Sequence, residues 1–117
     1  MNKENLGKLG EDISARYLQD KGYKILDRNY RAIGKEIDII AMDRDVLVFI
    51  EVKTRSSKKF GHALEAVNEM KISNIVNASI RYVMDKKMTA YQVRYDVIEY
   101  YVKEDKINHI ENAFYTV

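Results

Sequence analysis

Two acidic side chains and a lysine stand where buried β-strands should carry apolar residues. Asp38 interrupts Glu36-Ile37-Asp38-Ile39-Ile40-Ala41, and Glu51 and Lys53 close Leu47-Val48-Phe49-Ile50-Glu51-Val52-Lys53. Burying a charge is costly unless it is paired or bound to a metal. Side chains alternate along a strand, so Glu51 and Lys53 share one face, with Cα atoms about 6.5–7 Å apart. A neighbouring strand would bring Asp38 within about 5 Å across the ladder. Two carboxylates so placed form a hard-oxygen site suited to Mg²⁺ or Mn²⁺. A metal there would polarise a phosphoryl oxygen and lower the pKa of a bound water. Lys53 would orient that water or offset charge developing in the transition state. The plainer alternative is a Glu51–Lys53 ion pair at a strand end, with Asp38 bonded to backbone. That alternative suffices for any one residue; the coincidence of types, spacing and hairpin favours a site.

Other residues lie within reach of such a site. Glu11 sits at the edge of an apolar helical stripe, with Gly7, Ser14 and Ala15 at i−4, i+3 and i+4. These small neighbours would let the helix approach the sheet, so that Glu11 supports a metal or a water; an exposed helix glutamate is the alternative. Lys71 shares a helical face with Leu64, Val67 and Ile75. Its amine either snorkels along that face or reaches a phosphate or a site carboxylate. Glu36 lies on the Asp38 face of its strand and is expected to start that strand in solvent. Lys53-Thr54-Arg55-Ser56-Ser57-Lys58-Lys59 is the densest basic stretch, either a solvated loop or a phosphate-contacting one. His62 and His109 lack partners at ligand or triad spacing and read as structural. Tyr91, Tyr95, Tyr100 and Tyr101 would stack nucleobases, although alternation makes half-buried sheet positions the better expectation.

The elements that must position these residues follow from periodicity. Leu6, Leu9, Ile13 and Tyr17 predict a helix over 4–21, stopped by Gly22. Strands are expected at 23–30, 36–42 and 46–54, with a turn over 31–35. The link Asp43-Arg44-Asp45 predicts an antiparallel hairpin. An amphipathic helix is expected over 63–85, with Leu64, Val67, Ile72, Ile75, Val76, Ile80 and Val83 inward. Tyr91 to Val102 alternates as a strand, and Ile107 to Ile110 suggests a short further one. The order α-β-β-β-α-β implies an α/β fold with a central mixed sheet flanked by helices.

The 117 residues suit one domain, residues 1–117. With 46% hydrophobic and 32% charged residues, the composition is that of a globular protein. No apolar run approaches the roughly 18–20 residues of a membrane helix, so no membrane association is expected. The absence of cysteine excludes disulfides and thiolate metal sites. The opening residues lack the apolar core of a signal peptide, and a cytoplasmic location is expected. The net charge of +2 says little about nucleic acid; local clustering says more.

Gly10-Glu11, Ala15-x-Tyr17-Leu18 and Gly22-Tyr23-x-Ile25-Leu26-x-x-Asn29-Tyr30-Arg31 resemble the opening of the YraN-like endonuclease family. The Asp38 run and Val48-Phe49-Ile50-Glu51-Val52-Lys53-Thr54-Arg55 match its two core strands. Phe60-Gly61, Ala66-Val67, Lys71, Tyr95-Asp96-Val97 and His109-Ile110-x-Asn112-Ala113-Phe114 extend the match over nearly the whole chain. The family belongs to the PD-(D/E)xK, restriction-endonuclease-like superfamily, whose core is αβββαβ. The resemblance implies Asp38, Glu51 and Lys53 as the catalytic motif. It also implies Glu11 as the helix-one acid, as in nucleases similar to Holliday-junction resolvases, and Lys71 as the basic position of the second core helix. One departure is that Lys35 intervenes between Gly34 and Glu36, where the family places glycine directly before the glutamate. The count from Asn29 to Asp38 is unchanged, so an altered turn is expected and not a shifted strand.

The expected activity is therefore Mg²⁺- or Mn²⁺-dependent endonucleolytic hydrolysis of nucleic acid, with structured or branched DNA as substrate. Asp38 and Glu51 would hold the metal, Lys53 and Glu11 would assist, and Arg55, Lys58, Lys59 and Lys71 would contact phosphates. Such contacts give affinity without sequence information. A homodimer would present two sites to branched DNA. The alternatives are a non-catalytic nucleic-acid-binding module of the same fold working with a protein partner, and a domain with an ordinary ion-pair network.

Overall fold

The computed structural model describes residues 2–57 and 68–114. Helix α1 (Lys3–Asp20) leads into β1 (Lys24–Ala32), β2 (Lys35–Asp43) and β3 (Val46–Arg55); α2 (Glu69–Asp85) then precedes β4 (Gln92–Tyr101) and β5 (Lys106–Ile110). The expected α-β-β-β-α-β order is present, with the short fifth strand after it. One sheet runs β1-β2-β3-β4-β5. Its pairs are antiparallel except β3–β4, which is parallel. Parallel neighbours need a crossover, and the segment containing α2 supplies it.

The helices cover opposite faces of this mixed sheet. Ile75, Ala78 and Tyr82 of α2 pack with Ile40, Leu47, Phe49, Tyr95 and Val97. Ala15 and Leu18 of α1 pack with Ile39, Ala41, Val48, Ile50 and Ile98. Strict alternation along β3 and β4 divides their side chains between these two cores. Each fully buried Leu, Ile or Phe contributes about 1.5–3 kcal/mol. Among the described residues, no helix is long and apolar enough to cross a membrane.

Both helices differ from expectation in their inward faces. In α1 the buried positions are Gly10, Ser14, Ala15 and Leu18, whereas Leu6, Leu9, Ile13 and Tyr17 are half-buried. The helix lies so close to β3 that a Cβ at Gly10 would collide with Thr54 Oγ1, which puts small residues at the centre of the contact. Gly7, expected to allow this approach, faces open space. Helix α2 starts later than expected, because the Asn68 side chain caps it by accepting the Lys71 N–H at 2.9 Å. Leu64 and Val67 lie outside the described residues. Ile80, expected inward, is 55% exposed. It lies on the flank of the stripe that Ile75, Ala78, Ser79 and Tyr82 bury.

The first hairpin turn is tighter than 31–35. Ala32 pairs with Lys35, and Ile33 and Gly34 both take positive φ, 49° and 72°, as a two-residue type I′ turn requires. Lys35 thus becomes a strand residue and Asp38 keeps its place. The β2–β3 hairpin is as expected, with Asp43 paired to Val46.

Candidate active site

Strands β2 and β3 part company at the site. Their ladder ends at Ile39↔Ile50. Ile37 and Ile40, three positions apart, both join the α2-side core, so alternation breaks around Asp38. Beyond the last pair, the Val52 N–H donates to Asp38 Oδ2 at 2.8 Å. The carboxylate thereby stands in for a strand carbonyl and is anchored where the strands separate.

Glu51 lies on the α2 side of β3, two residues beyond Phe49 on the same face. It is 4% exposed, and its Oε1 lies 3.3 Å from Lys53 Nζ and 3.2 Å from Lys71 Nζ. Lys71 gets there because the Asn68 cap holds its backbone in the first turn of α2. Of the two readings weighed for Lys71, the structure places its amine on a site carboxylate.

Glu11 reaches the same end of the sheet through Asn29. Asn29 Nδ2 donates to Glu11 Oε1 at 2.8 Å and to Glu36 Oε1 at 3.1 Å. Glu36, expected to stand in solvent, is half-buried and also meets Arg31 at 3.5 Å. Asn29 lies between the pairs Arg28↔Ile39 and Tyr30↔Ile37, opposite Asp38. It takes φ 51°, a left-handed conformation that Asn tolerates better than most residues. Sequence reasoning assigned Asn29 no role. The available signal was an isolated Asn inside a strand-forming run.

Asp38, Glu51, Glu11 and Glu36 bring four carboxyl groups to this end of the sheet, with Lys53 and Lys71 on Glu51 and Arg31 on Glu36. Burial pushes the Asp38 carboxyl up to about 8, with the Glu51 charge adding to it, the Val52 N–H opposing and Glu11 adding a smaller push. Lys71 shows the complement. Burial works against its charge, but Glu51, with Asp38 and Glu36 behind it, holds its pKa above the usual lysine range. A groove of about 440 Å³ opens beside Glu11, Asn29 and Glu36, with Lys8, Arg28 and Arg31 on its walls.

The other expected contacts divide. Arg55 is half-buried at the end of β3, opposite Tyr101. Burial and the Glu99 carboxylate push Tyr101 up to about 12, with Arg55 pulling the other way. Lys58, Lys59 and His62 lie outside the described residues. Tyr95, Tyr100 and Tyr101 are buried, leaving Tyr91 exposed for stacking.

His109 has a partner that its spacing concealed: Nε2 lies 2.7 Å from Asp96 Oδ2, and Tyr17 Oη lies 3.2 Å from Nδ1. Asp96, His109 and Glu111 bring ligand atoms together in the manner of a metal site. Arg94 already occupies the cation's role there, with both Asp96 oxygens at 2.9 Å and Glu111 at 3.6 Å. The structural reading of His109 therefore fits.

Fold and site together define a mixed α/β domain with an acidic and lysine-bearing cluster where two core strands separate. The model of the uncharacterised protein family UPF0102 matches residues 10–100, and the chain belongs to that family. It is 48% identical over 118 residues to a UPF0102 protein of Alkaliphilus oremlandii, covering 97% of this chain and 100% of the relative. A UPF0102 protein of Clostridioides difficile is 44% identical over 114 residues, covering 97% and 100%. One from Caldanaerobacter subterraneus is 44% identical over 119 residues, covering 97% and 98%.

Proposed function

We propose that the chain is a metal-dependent nuclease of the PD-(D/E)xK class, hydrolysing phosphodiester bonds in structured or branched DNA. The observation that carries this reading is the convergence of Asp38 and Glu51 with Lys53 and Lys71 at the point where β2 and β3 separate. The element order and the placing of the acids on β2 and β3 fit a restriction-endonuclease-like core.

The donor set fits a hard divalent cation. Asp38 and Glu51 offer carboxylate oxygens without thiolate or imidazole, and a bound cation would offset the charge that burial and Glu51 disfavour on Asp38. Asp38 and Glu51 would hold Mg²⁺ or Mn²⁺. When bound, the metal supplies Lewis acidity toward a phosphoryl oxygen and acidifies a water.

The protein's own groups do the rest. The Val52 N–H fixes the orientation of Asp38. Lys53, held by Glu51, points an N–H donor at the attacking water or the phosphate. Asn29 restrains Glu11, which lies close enough for its charge to act on Asp38. Lys71 and Arg55 supply cations for phosphate, and the groove walled by Lys8, Arg28 and Arg31 receives the neighbouring backbone.

The test is cleavage of labelled single-stranded, duplex, flap and four-way-junction DNA in Mg²⁺, Mn²⁺ and EDTA, with Asp38→Asn alongside. Metal-dependent cutting, strongest on branched substrates and lost in Asp38→Asn, is expected. Binding without cutting under every metal would leave the non-catalytic module. No binding even at low salt, where phosphate contacts are strongest, would remove nucleic acid altogether.

A further inference from the structure

Four of the six large apolar side chains exposed among the described residues gather on the outer side of α2: Ile33 (59%), Ile80 (55%), Met84 (63%) and Val93 (39%). Ile80 and Met84, one turn apart, form a ridge with a hollow on each side. One hollow, of about 250 Å³, is lined by Val83, Val93 and Tyr95. The other is lined by Ile33, Asn77, Arg81 and Asp85. Scattered surface apolar residues are ordinary, but a contiguous patch rimmed by polar groups marks an interaction surface.

We propose that this face is the two-fold interface of a homodimer, with α2 packed antiparallel against α2 of a second copy. The occupant is indicated by self-complementarity. Ile80 and Met84 are centred on residue 82, and Arg81 and Asp85 on residue 83. One two-fold axis near Tyr82–Val83 brings Ile80 to within about 1.5 Å, one residue's rise, of level with the partner's Met84, and Arg81 likewise with the partner's Asp85. The two apolar ridges then face each other, with the hollows along the edges of the contact. Within one copy Arg81 and Asp85 pair at 3.2 Å with both side chains exposed, a link that contributes little and is readily exchanged. A standard interface takes roughly 800 Å² from each partner, with an apolar centre and a polar rim. Here the four apolar side chains supply the centre, and Asn77, Arg81 and Asp85 the rim.

The arrangement sets a distance. Lys71 lies about 11 residues from the axis, so at 1.5 Å rise per residue the two Lys71 backbones stand roughly 30–35 Å apart. Taken together with the proposed nuclease function, and resting on it for this consequence alone, the dimer would hold two cutting sites further apart than these backbones, because Lys71 meets Glu51 on the sheet side of each α2, away from the interface.

Sedimentation equilibrium of the full chain across the micromolar range tests the interface. Wild type is expected to dimerise with rising concentration, and Ile80→Glu to weaken association at least about tenfold. Because Ile80 is exposed, dilute Ile80→Glu should keep the wild-type circular dichroism. Arg81→Asp alone and Asp85→Arg alone should each weaken the dimer, and the double exchange Arg81→Asp/Asp85→Arg should restore it. That restoration decides the matter if Ile80→Glu fails to fold. A wild type that stays monomeric, an Ile80→Glu dimer of undiminished affinity, or a double exchange as weak as its single variants would each overturn the proposal. A monomer that cuts DNA overturns the dimer alone, and a dimer that never cuts overturns only the nuclease.

Discussion

Asp38 carries two opposed demands in one side chain. Its Oδ2 accepts the Val52 N–H, while burial, with Glu51 beside it, pushes its carboxyl up to about 8. An acid whose folded pKa lies above its unfolded value, about 3.9, takes up a proton on folding. Stability is then fully retained below about pH 4 and falls as pH rises toward 8. Asparagine keeps an oxygen for the Val52 N–H and carries no charge. In EDTA, Asp38→Asn should exceed wild type in stability at pH 8 by on the order of 2–4 kcal/mol, with little difference near pH 4. Thermal melts at both pH values check this, and an equal gap at both would assign the titration elsewhere. Enzymes tolerate such local cost where charge is needed for chemistry.

At the scale of elements, the site depends on how closely α1 lies on β3. Glu11 reaches Asn29 only because Gly10, its neighbour, presents no side chain to Thr54. Gly10→Ala should cost about 1–3 kcal/mol through overpacking. Adding Thr54→Ala removes the hydroxyl that the new methyl meets, so the double variant should recover most of the loss. A urea-denaturation double-mutant cycle would read this as coupling of about 1 kcal/mol or more. Additive losses would mean that the helix shifts instead. The Asn68 cap has a similar bearing on α2, since it sets the turn from which Lys71 meets Glu51.

Across the whole molecule, Arg94 ties together segments remote in sequence. It donates to Asp43 at the end of β2, to Asp96 on its own strand and to the Tyr23 hydroxyl before β1. Asp96 in turn holds His109 of β5 and the Asn112 N–H. Burial alone would raise the Asp96 pKa, but His109 and Arg94 together hold it below the ordinary carboxylate value. The stability it contributes is present above about pH 4 and is lost as pH falls through its depressed folded value. Asp96→Asn leaves part of the Arg94 charge uncompensated and should cost about 3 kcal/mol at pH 7. The gap should narrow below about pH 4. Chemical denaturation at pH 7 and pH 3.5 measures it, and a constant gap would mean that packing, not charge, accounts for the loss.

What the sequence by itself determined is whatever depends on local spacing. The period-two alternation through Glu51 and Lys53, and the short polar link at Asp43–Asp45, were enough to foresee the β2–β3 hairpin and that Glu51 and Lys53 share one face of β3. The order of elements along the chain followed in the same way. Tertiary structure alone decided the rest, because those features depend on contacts between residues far apart in the chain. That Gly10 and not Gly7 meets the sheet, and that Ile80 turns outward, are set by helix position and rotation, to which α1 and α2 periodicity was an imperfect guide. Asn29 bridges Glu11 and Glu36 only once α1 lies across β1 and β2. His109 finds Asp96 only once β5 pairs with β4. The upward push on Asp38 likewise arises from burial together with Glu51 of β3 and Glu11 of α1, a sum that no single stretch of chain contains.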